Sequence, residues 1–151
     1  MKPLIVTADD YGMSAVIDEG ILALIQAGRV SATSCMTLSP RWSQAARRLD
    51  TAVQASAHLG VHLDLTEFAQ PRQPLRSVIV KAYLHRLDGE ALKATVADQL
   101  DRFEQALGRA PDYVDGHQHV HQLPQVREAL VAELVRRYPA GPRPWVRISD
   151  A

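Results

Sequence analysis

Length, composition and charge restrict the classes of protein to which this chain can belong. The chain has 151 residues, enough for one domain, and 46% of them are hydrophobic, so we expect a packed core rather than disorder. Its 17 Lys and Arg balance 17 Asp and Glu, which gives no electrostatic reason to expect nucleic acid or an anionic membrane as a partner. The single cysteine, Cys35, excludes an intrachain disulfide and is expected to be a buried thiol. The sequence has no run of 18 apolar residues, and a cytoplasmic location is expected.

The first half of the chain predicts alternating strands and helices. Residues 4–8 form a short β-branched run that predicts a buried strand, and Asp9 to Gly12 follow as a turn. Ser14 is expected to cap a helix that Gly28 ends, because isoleucines recur there every four residues. Strands are also predicted at 32–38 and 59–65, and a further helix at 40–49.

The second half continues the same alternation after a loop. Residues 67–77 contain two prolines and few apolar side chains, so they predict a long functional loop. Helices are predicted at 90–107 and from Pro124, and strands at 113–115 and 145–148. This order predicts an α/β protein with a parallel sheet or barrel of about five β/α units and right-handed crossovers.

Chemically capable side chains follow three of the predicted strands. They are Asp9 and Asp10, then His62 and Asp64, then Asp115, His117, His119 and His121. In parallel α/β folds ligands bind at the carboxyl ends of the strands, so we expect these residues to lie close together. Taken singly, Asp9 and Asp10 are also compatible with helix capping, and His62 with a hydrogen-bonded structural role. The last three histidines would share one face if their segment is extended, and a solvated histidine-rich loop is the alternative.

Two histidines and one carboxylate make a metal site that leaves positions open for water and substrate. Zinc suits such a site, and manganese, cobalt and magnesium are not excluded. The metal would lower the pKa of its water and polarise a carbonyl oxygen. Asp9 is available to take a proton from the water, and His119 or His121 to protonate a leaving amine.

Three motifs resemble those of the YdjC-like carbohydrate deacetylase family. The stretch at 7–14, TADDYGMS, is similar to the ADDFG motif that opens such proteins, with Tyr11 in place of Phe. The stretch at 60–66, GVHLDLT, resembles the family's GxHxxLT. The stretch at 115–121, DGHQHVH, followed by Pro124, resembles DSHxHVHxxP, with Gly116 in place of Ser. The family includes chitooligosaccharide deacetylases and proteins associated with hopanoid biosynthesis.

The resemblance implies a barrel-like α/β fold and removal of an N-acetyl group from an amino sugar or small oligosaccharide. It implies Asp10, His62 and His117 as ligands of a divalent metal ion, Mg or Zn, and Asp9 as the general base. His121 is favoured as the general acid, and His119 is the alternative. Asp115 is expected either to orient a ligand histidine or to cap the turn.

The chain is shorter than a typical member of that family, which runs to roughly 250 residues or more. We therefore expect residues 1–151 to form a single YdjC-like deacetylase domain without the C-terminal part of a typical member. An open sheet edge would favour a homo-oligomer. Two other functions stay open: a metal-dependent amidase acting on another metabolite, and a non-catalytic metal-binding remnant.

Overall fold

The computed structural model describes residues 4–148, which form five strands, six α-helices and one 3₁₀ segment. The strands are β1 Thr7–Tyr11, β2 Ala32–Cys35, β3 His58–Leu63, β4 Tyr113–Gly116 and β5 Trp145–Val146. The helices are α1 Ala15–Gln26, α2 Trp42–Ala46, α3 Thr51–Ser56, α4 Leu75–Tyr83, α5 Gly89–Leu107 and α6 Pro124–Arg137, and the 3₁₀ segment is His117–Gln122.

The strands form one parallel sheet in the order β1-β2-β3-β4-β5. Each strand lies beside the strand that precedes it in the chain, so the order never reverses. A doubly wound sheet reverses its order at a switch point, whereas a β/α barrel does not. The predicted α/β fold with a parallel, barrel-like sheet of about five β/α units is confirmed.

Strands β2, β3 and β4 form the buried centre of the parallel sheet. Every residue of β2 and β4 is buried, and so are the five residues of β3 after His58. Burial on both faces is typical of a parallel sheet covered by crossover helices. Cys35 is fully buried, as predicted. On the helix side, the Trp42 and Phe103 rings stack with centroids 6.2 Å apart.

Helix boundaries follow the predicted caps. Ser14 caps α1, because its hydroxyl oxygen accepts a hydrogen bond from the Ile17 backbone amide. Pro124 occupies the first turn of α6, where its missing amide hydrogen costs no hydrogen bond. Gly108 ends α5 in the left-handed conformation, with φ of 68°.

Three element predictions were wrong. Strand β1 lies three residues later than the predicted 4–8, because Tyr11 is fully buried while Leu4 is 83% exposed. Helix α4 begins inside the predicted loop 67–77, directly after Pro74, and buries Val78 and Ala82 against its neighbours. Helix α3 was not predicted because its six residues are too few to show a helical period.

No helix within residues 4–148 has the length and apolar character needed to cross a membrane.

Candidate metal centre

The centre begins at an irregular stretch of β1. Pairing of β1 with β2 is interrupted between Ala8 and Tyr11, and Asp10 has a φ of 68°. A non-glycine residue in this left-handed region is strained and persists only where surrounding contacts hold it. The contacts here are made to Gly12: its amide donates to Asp18 Oδ1 at 2.6 Å, and its carbonyl accepts from Ser39 Oγ at 2.7 Å. The backbone beside Asp10 is therefore braced from two sides.

The Asp10 carboxylate meets two histidines from neighbouring strands. Its Oδ1 lies 2.9 Å from His117 Nδ1 and 3.3 Å from His62 Nε2. His62 lies near the carboxyl end of β3, and His117 directly follows β4. One ligand atom from each of the three side chains lies within 4.8 Å of the others. The structure thus brings together the three residues that the sequence resemblance implied as metal ligands.

The geometry and charge of this cluster fit a divalent cation. Ligand atoms around a tetrahedral zinc, with bonds of about 2.0–2.1 Å, lie about 3.3 Å apart, close to the two distances from Asp10 Oδ1. His62 is surrounded by three carboxylates, those of Asp9, Asp10 and Asp115. Arg147 contacts Asp9 and Asp115 and brings one permanent positive charge to this cluster. The remaining negative charge suits a divalent ion.

Electrostatics favour positive charge at His62. Hydrogen bonds from His117 and His62 hold the pKa of Asp10 well below its usual range. Burial lowers the pKa of His62, but hydrogen bonds to Asp10 and Asp115 outweigh burial and raise it to about 9. A proton on His62 therefore occupies a position where a cation is stabilised.

A second group of potential ligands is less suitable. Asp9, His62 and Asp115 also place ligand atoms within 4.8 Å of one another. Arg147 Nη2, however, lies 2.7 and 2.8 Å from the two Asp9 oxygens and 2.7 Å from Asp115 Oδ2. A guanidinium at this position repels a metal cation, so we assign the candidate centre to Asp10, His62 and His117.

Asp115 orients His62 from the side away from Asp10. Its Oδ1 lies 2.6 Å from His62 Nδ1, and its Oδ2 accepts from Ser34 Oγ at 2.7 Å. Tyr113 Oη lies 2.9 Å from the same Ser34 hydroxyl. A carboxylate that accepts the distal N–H of a ligand histidine is the usual outer partner at metal sites. Of the two roles left open from the sequence, the structure therefore shows the orienting one.

Comparisons with known proteins agree with the sequence motifs. A family model described as YdjC-like protein matches residues 3–151. The chain belongs to the YdjC-like family.

Named relatives of this YdjC-like chain are deacetylases. A carbohydrate deacetylase of Mus musculus is 38% identical over 152 residues, which cover 89% of this chain and 47% of the mouse protein. A chitooligosaccharide deacetylase of Yersinia pestis (strain Pestoides F) is 31% identical, covering 87% of this chain and 55% of that protein. The YdjC-like chain thus spans about half the length of the curated relatives it matches.

A solved structure shares the fold. A crystal structure from Enterococcus faecalis V583, of a protein for which cellobiose-phosphate cleavage has been suggested, aligns with a TM-score of 0.70 and 26% identity. The alignment covers 89% of the YdjC-like chain and 55% of the other.

The two further histidines of the YdjC-like motif lie in different surroundings. The 3₁₀ segment is not extended, because Gln118 and His119 adopt left-handed φ values of 54° and 59°, so the prediction of one shared histidine face was wrong. His119 is exposed. His121 is only 2% exposed, and its Nε2 lies 2.7 Å from the Arg147 carbonyl. Burial lowers the pKa of His121, and its Nδ1 has no hydrogen-bond partner among residues 4–148.

Gly116 makes room for His121. A Cβ at position 116 would lie 2.7 Å from His121 Nδ1, closer than side-chain contacts allow. Glycine in place of the family's serine therefore permits this ring position.

Asp64 does not belong to the centre, although it lies one residue beyond β3. Both of its carboxylate oxygens accept backbone amides, from Thr66, Glu67, Phe68 and Ala69, at 2.6–3.1 Å. These bonds organise the loop that follows β3.

Sequence reasoning missed Ser34 and Asp18. Ser34 lies in β2, and it contacts Tyr113 and Asp115 of β4, which are 79 and 81 residues away in the chain. Asp18 looks like an ordinary acidic residue in the first turn of α1, but it is fully buried and pairs with Arg41 at 3.1 Å. No local pattern indicates either contact, since both depend on how distant elements pack.

Proposed function

We propose that this chain is a metal-dependent carbohydrate deacetylase that removes an N-acetyl group from an amino sugar or small oligosaccharide. The observation that carries the proposal is the convergence of Asp10, His62 and His117 at the carboxyl ends of β1, β3 and β4. The mouse and Yersinia relatives are named as carbohydrate and chitooligosaccharide deacetylases, which supports the carbohydrate substrate.

Asp10, His62 and His117 would hold a divalent ion, Mg or Zn. When bound, such an ion acts as a Lewis acid toward a carbonyl oxygen and lowers the pKa of a water ligand. His62 would be held in the correct ring orientation by Asp115, which in turn is fixed by Ser34.

Asp9 is the proposed general base. It is adjacent to Asp10 in the chain, and its carboxylate is 39% exposed, so it can contact substrate and water. Arg147 binds both Asp9 oxygens, which fixes the position of the carboxylate. In this role, an Asp9 oxygen receives the proton of the attacking water.

The general acid is proposed to be His121, with His119 as the alternative. His121 has one ring nitrogen without a partner among the described residues, but its ring is buried. His119 is exposed and can meet substrate directly. We expect replacement of the true acid by glutamine to remove the alkaline limb of the pH–rate profile while metal affinity is retained. His121→Gln and His119→Gln, measured side by side, decide between the two.

We further propose that residues 1–151 act as one YdjC-like unit, located in the cytoplasm, and that the unit self-associates. Among residues 4–148, β1 and β5 each pair on one side only. Leu4, which precedes β1, and Ile148, which follows β5, are exposed apolar residues. Edges of this kind favour association with a second copy.

Acetate release tests the proposed function. The purified chain is incubated with N,N′-diacetylchitobiose and added Zn or Mg, and again with chelator, and bound metal is measured in parallel. Chelator-sensitive release supports a metal-dependent deacetylase. Stoichiometric metal without acetate points to a non-catalytic metal-binding protein or an amidase acting on another metabolite. Absence of both metal and acetate contradicts the proposal.

A further inference from the structure

A groove of about 400 Å³ is lined in part by Gln118, the residue that follows His117 of the candidate metal centre. Its wall is the segment that follows β3, from Thr66 to Leu75, and Gln118 completes the lining beside Thr66. Strands β3 and β4 pair directly at their carboxyl ends, where Leu63 lies opposite Gly116. The groove therefore lies at the same edge of the sheet as the metal-binding histidines.

The wall after β3 is held in place before any ligand arrives. Asp64 accepts four consecutive backbone amides of this segment. Arg72 Nε donates to the Thr66 carbonyl at 3.1 Å, and its Nη2 donates to Glu67 Oε2 at 2.9 Å. A wall fixed by so many bonds loses little conformational freedom on binding, which favours affinity.

Gln118 presents a hydrogen-bond donor to the groove. Its Oε1 accepts from Thr66 Oγ1 at 2.9 Å, which leaves its Nε2 without an acceptor among residues 4–148. Its backbone has a left-handed φ of 54°, followed by the same conformation at His119. Strain of this kind is concentrated at ligand-binding positions.

The groove carries polar groups but little net charge. Glu67 neutralises Arg72 across the 2.9 Å contact, so the lining does not favour an anionic ligand. An amide, a carboxylate and a hydroxyl offer donors and acceptors for sugar hydroxyls, while Leu75 offers an apolar surface. These features fit one neutral pyranose ring.

We propose that this groove binds the sugar unit adjoining the N-acetylated one, and that Gln118 is the residue that selects a disaccharide over a monosaccharide. The inference rests on the proposed function, because it places the reacting sugar at Asp10, His62 and His117. Gln118 Nε2 donates to a hydroxyl of the second ring, and Glu67 accepts from another.

Sugar binding without turnover tests the groove. NMR titrations in EDTA compare N-acetylglucosamine with N,N′-diacetylchitobiose. We expect the unaltered chain to bind the disaccharide about tenfold more tightly, the effect of one well-formed hydrogen bond. Gln118→Gly, which removes the side chain without adding backbone strain, should abolish the preference and leave monosaccharide affinity unchanged. Glu67→Gln, a second variant that keeps the side-chain shape, should weaken disaccharide binding alone.

Gln105→Ala is the matched control, because Gln105 is exposed on α5 away from the groove. The inference is overturned if the unaltered chain binds both sugars equally or neither, or if Gln118→Gly keeps the preference. Acetate release is measured on the same protein preparations with added metal and without EDTA. Disaccharide preference without release would contradict the proposed function and leave the groove assignment standing, whereas release without preference would do the reverse.

Discussion

Asp10 is the residue at which three parts of the chain meet. Its Oδ1 contacts His62 and His117, from β3 and from the end of β4, although these residues are separated from it by 52 and 107 positions. The strained backbone of Asp10 turns this carboxylate toward the histidines while Asp9 pairs with Arg147. Adjacent carboxylates therefore have different partners and, in the proposed mechanism, different roles.

Removing a histidine ligand should abolish tight metal binding. We expect His117→Ala to weaken zinc affinity by more than about 100-fold, because loss of an outer partner alone typically costs 10–100-fold. Competition with a fluorescent chelator measures the change. His58→Ala is the control, since His58 lies at the opposite end of β3 and is exposed. Equal zinc affinity in His117→Ala and the unaltered chain would refute the assigned centre.

Asp115 should affect the zinc affinity of the centre without being a ligand itself. In Asp115→Asn the carboxylate that fixes the His62 ring orientation becomes a neutral amide. We expect zinc affinity to fall about 10–100-fold, while the stoichiometry stays at the value of the unaltered chain. Calorimetric titration separates affinity from stoichiometry, and a changed stoichiometry would instead make Asp115 a ligand.

Among the secondary-structure elements, α1 supports the irregular end of β1 that carries Asp10. Asp18 is fully buried, accepts the Gly12 amide and pairs with Arg41. Asp18→Ala leaves both donors without their partner, so we expect a loss of about 1.5–3 kcal/mol in the free energy of unfolding. Zinc affinity should fall as well, because the Asp10 backbone loses one of its two braces. Urea unfolding and zinc competition measure the two effects.

The matched control for Asp18 is its neighbour. Glu19 is 67% exposed on the same helix, so Glu19→Ala should leave stability and zinc affinity unchanged. If Asp18→Ala binds zinc as tightly as the unaltered chain, the brace does not position Asp10.

The loop after β3 depends on a single carboxylate. Because Asp64 accepts the amides of Thr66, Glu67, Phe68 and Ala69, we expect Asp64→Asn to speed hydrogen exchange at those four positions. Asp98→Asn on α5 is the control, since Asp98 is half-exposed and its ion pair with Arg102 lies at the surface. Unchanged exchange at the four amides would show that other contacts hold the loop.

At the scale of the whole molecule, Asp112 joins strands at the amino end of the sheet. Its Oδ2 accepts the Leu59 amide, and both of its oxygens bind Arg109. Burial raises the pKa of Asp112, but the Arg109 and Leu59 hydrogen bonds outweigh it and the pKa lies below the usual 3.8. A carboxyl with a lowered pKa contributes stability that is present above its unfolded pKa and lost as the pH falls through the folded value.

This linkage gives a pH prediction. The unaltered chain should lose stability as the pH falls below about 5, and Asp112→Asn should lose less over the same interval because the linked group is absent. Urea unfolding at pH 7 and at acidic pH values measures both slopes. Parallel slopes in the two proteins would mean that Asp112 does not contribute to the acid sensitivity.

Sequence patterns predicted the fold class, and sequence motifs indicated the candidate ligands. Periodic apolar positions predicted α5 and α6, and the alternation of strands and helices predicted the parallel sheet, because these signals are local. The motifs around Asp10, His62 and His117 indicated the family for the same reason. Two helices were not predicted. Helix α3 has too few residues to show a helical period, and the two prolines in residues 67–77 led to the prediction of a loop where α4 begins.

Which side chains meet depends on the packing of separate elements and is seen in the tertiary structure. The ring orientation of His62 depends on Asp115 and Ser34, which lie on other strands. The backbone beside Asp10 depends on Asp18 of α1 and on Ser39, which follows β2. The segment turns at Gln118 and His119 with left-handed φ values instead of being extended, and it leaves His119 exposed while His121 is buried. Local propensity does not encode such contacts, because their free energy arises only when separate strands and helices pack and exclude water.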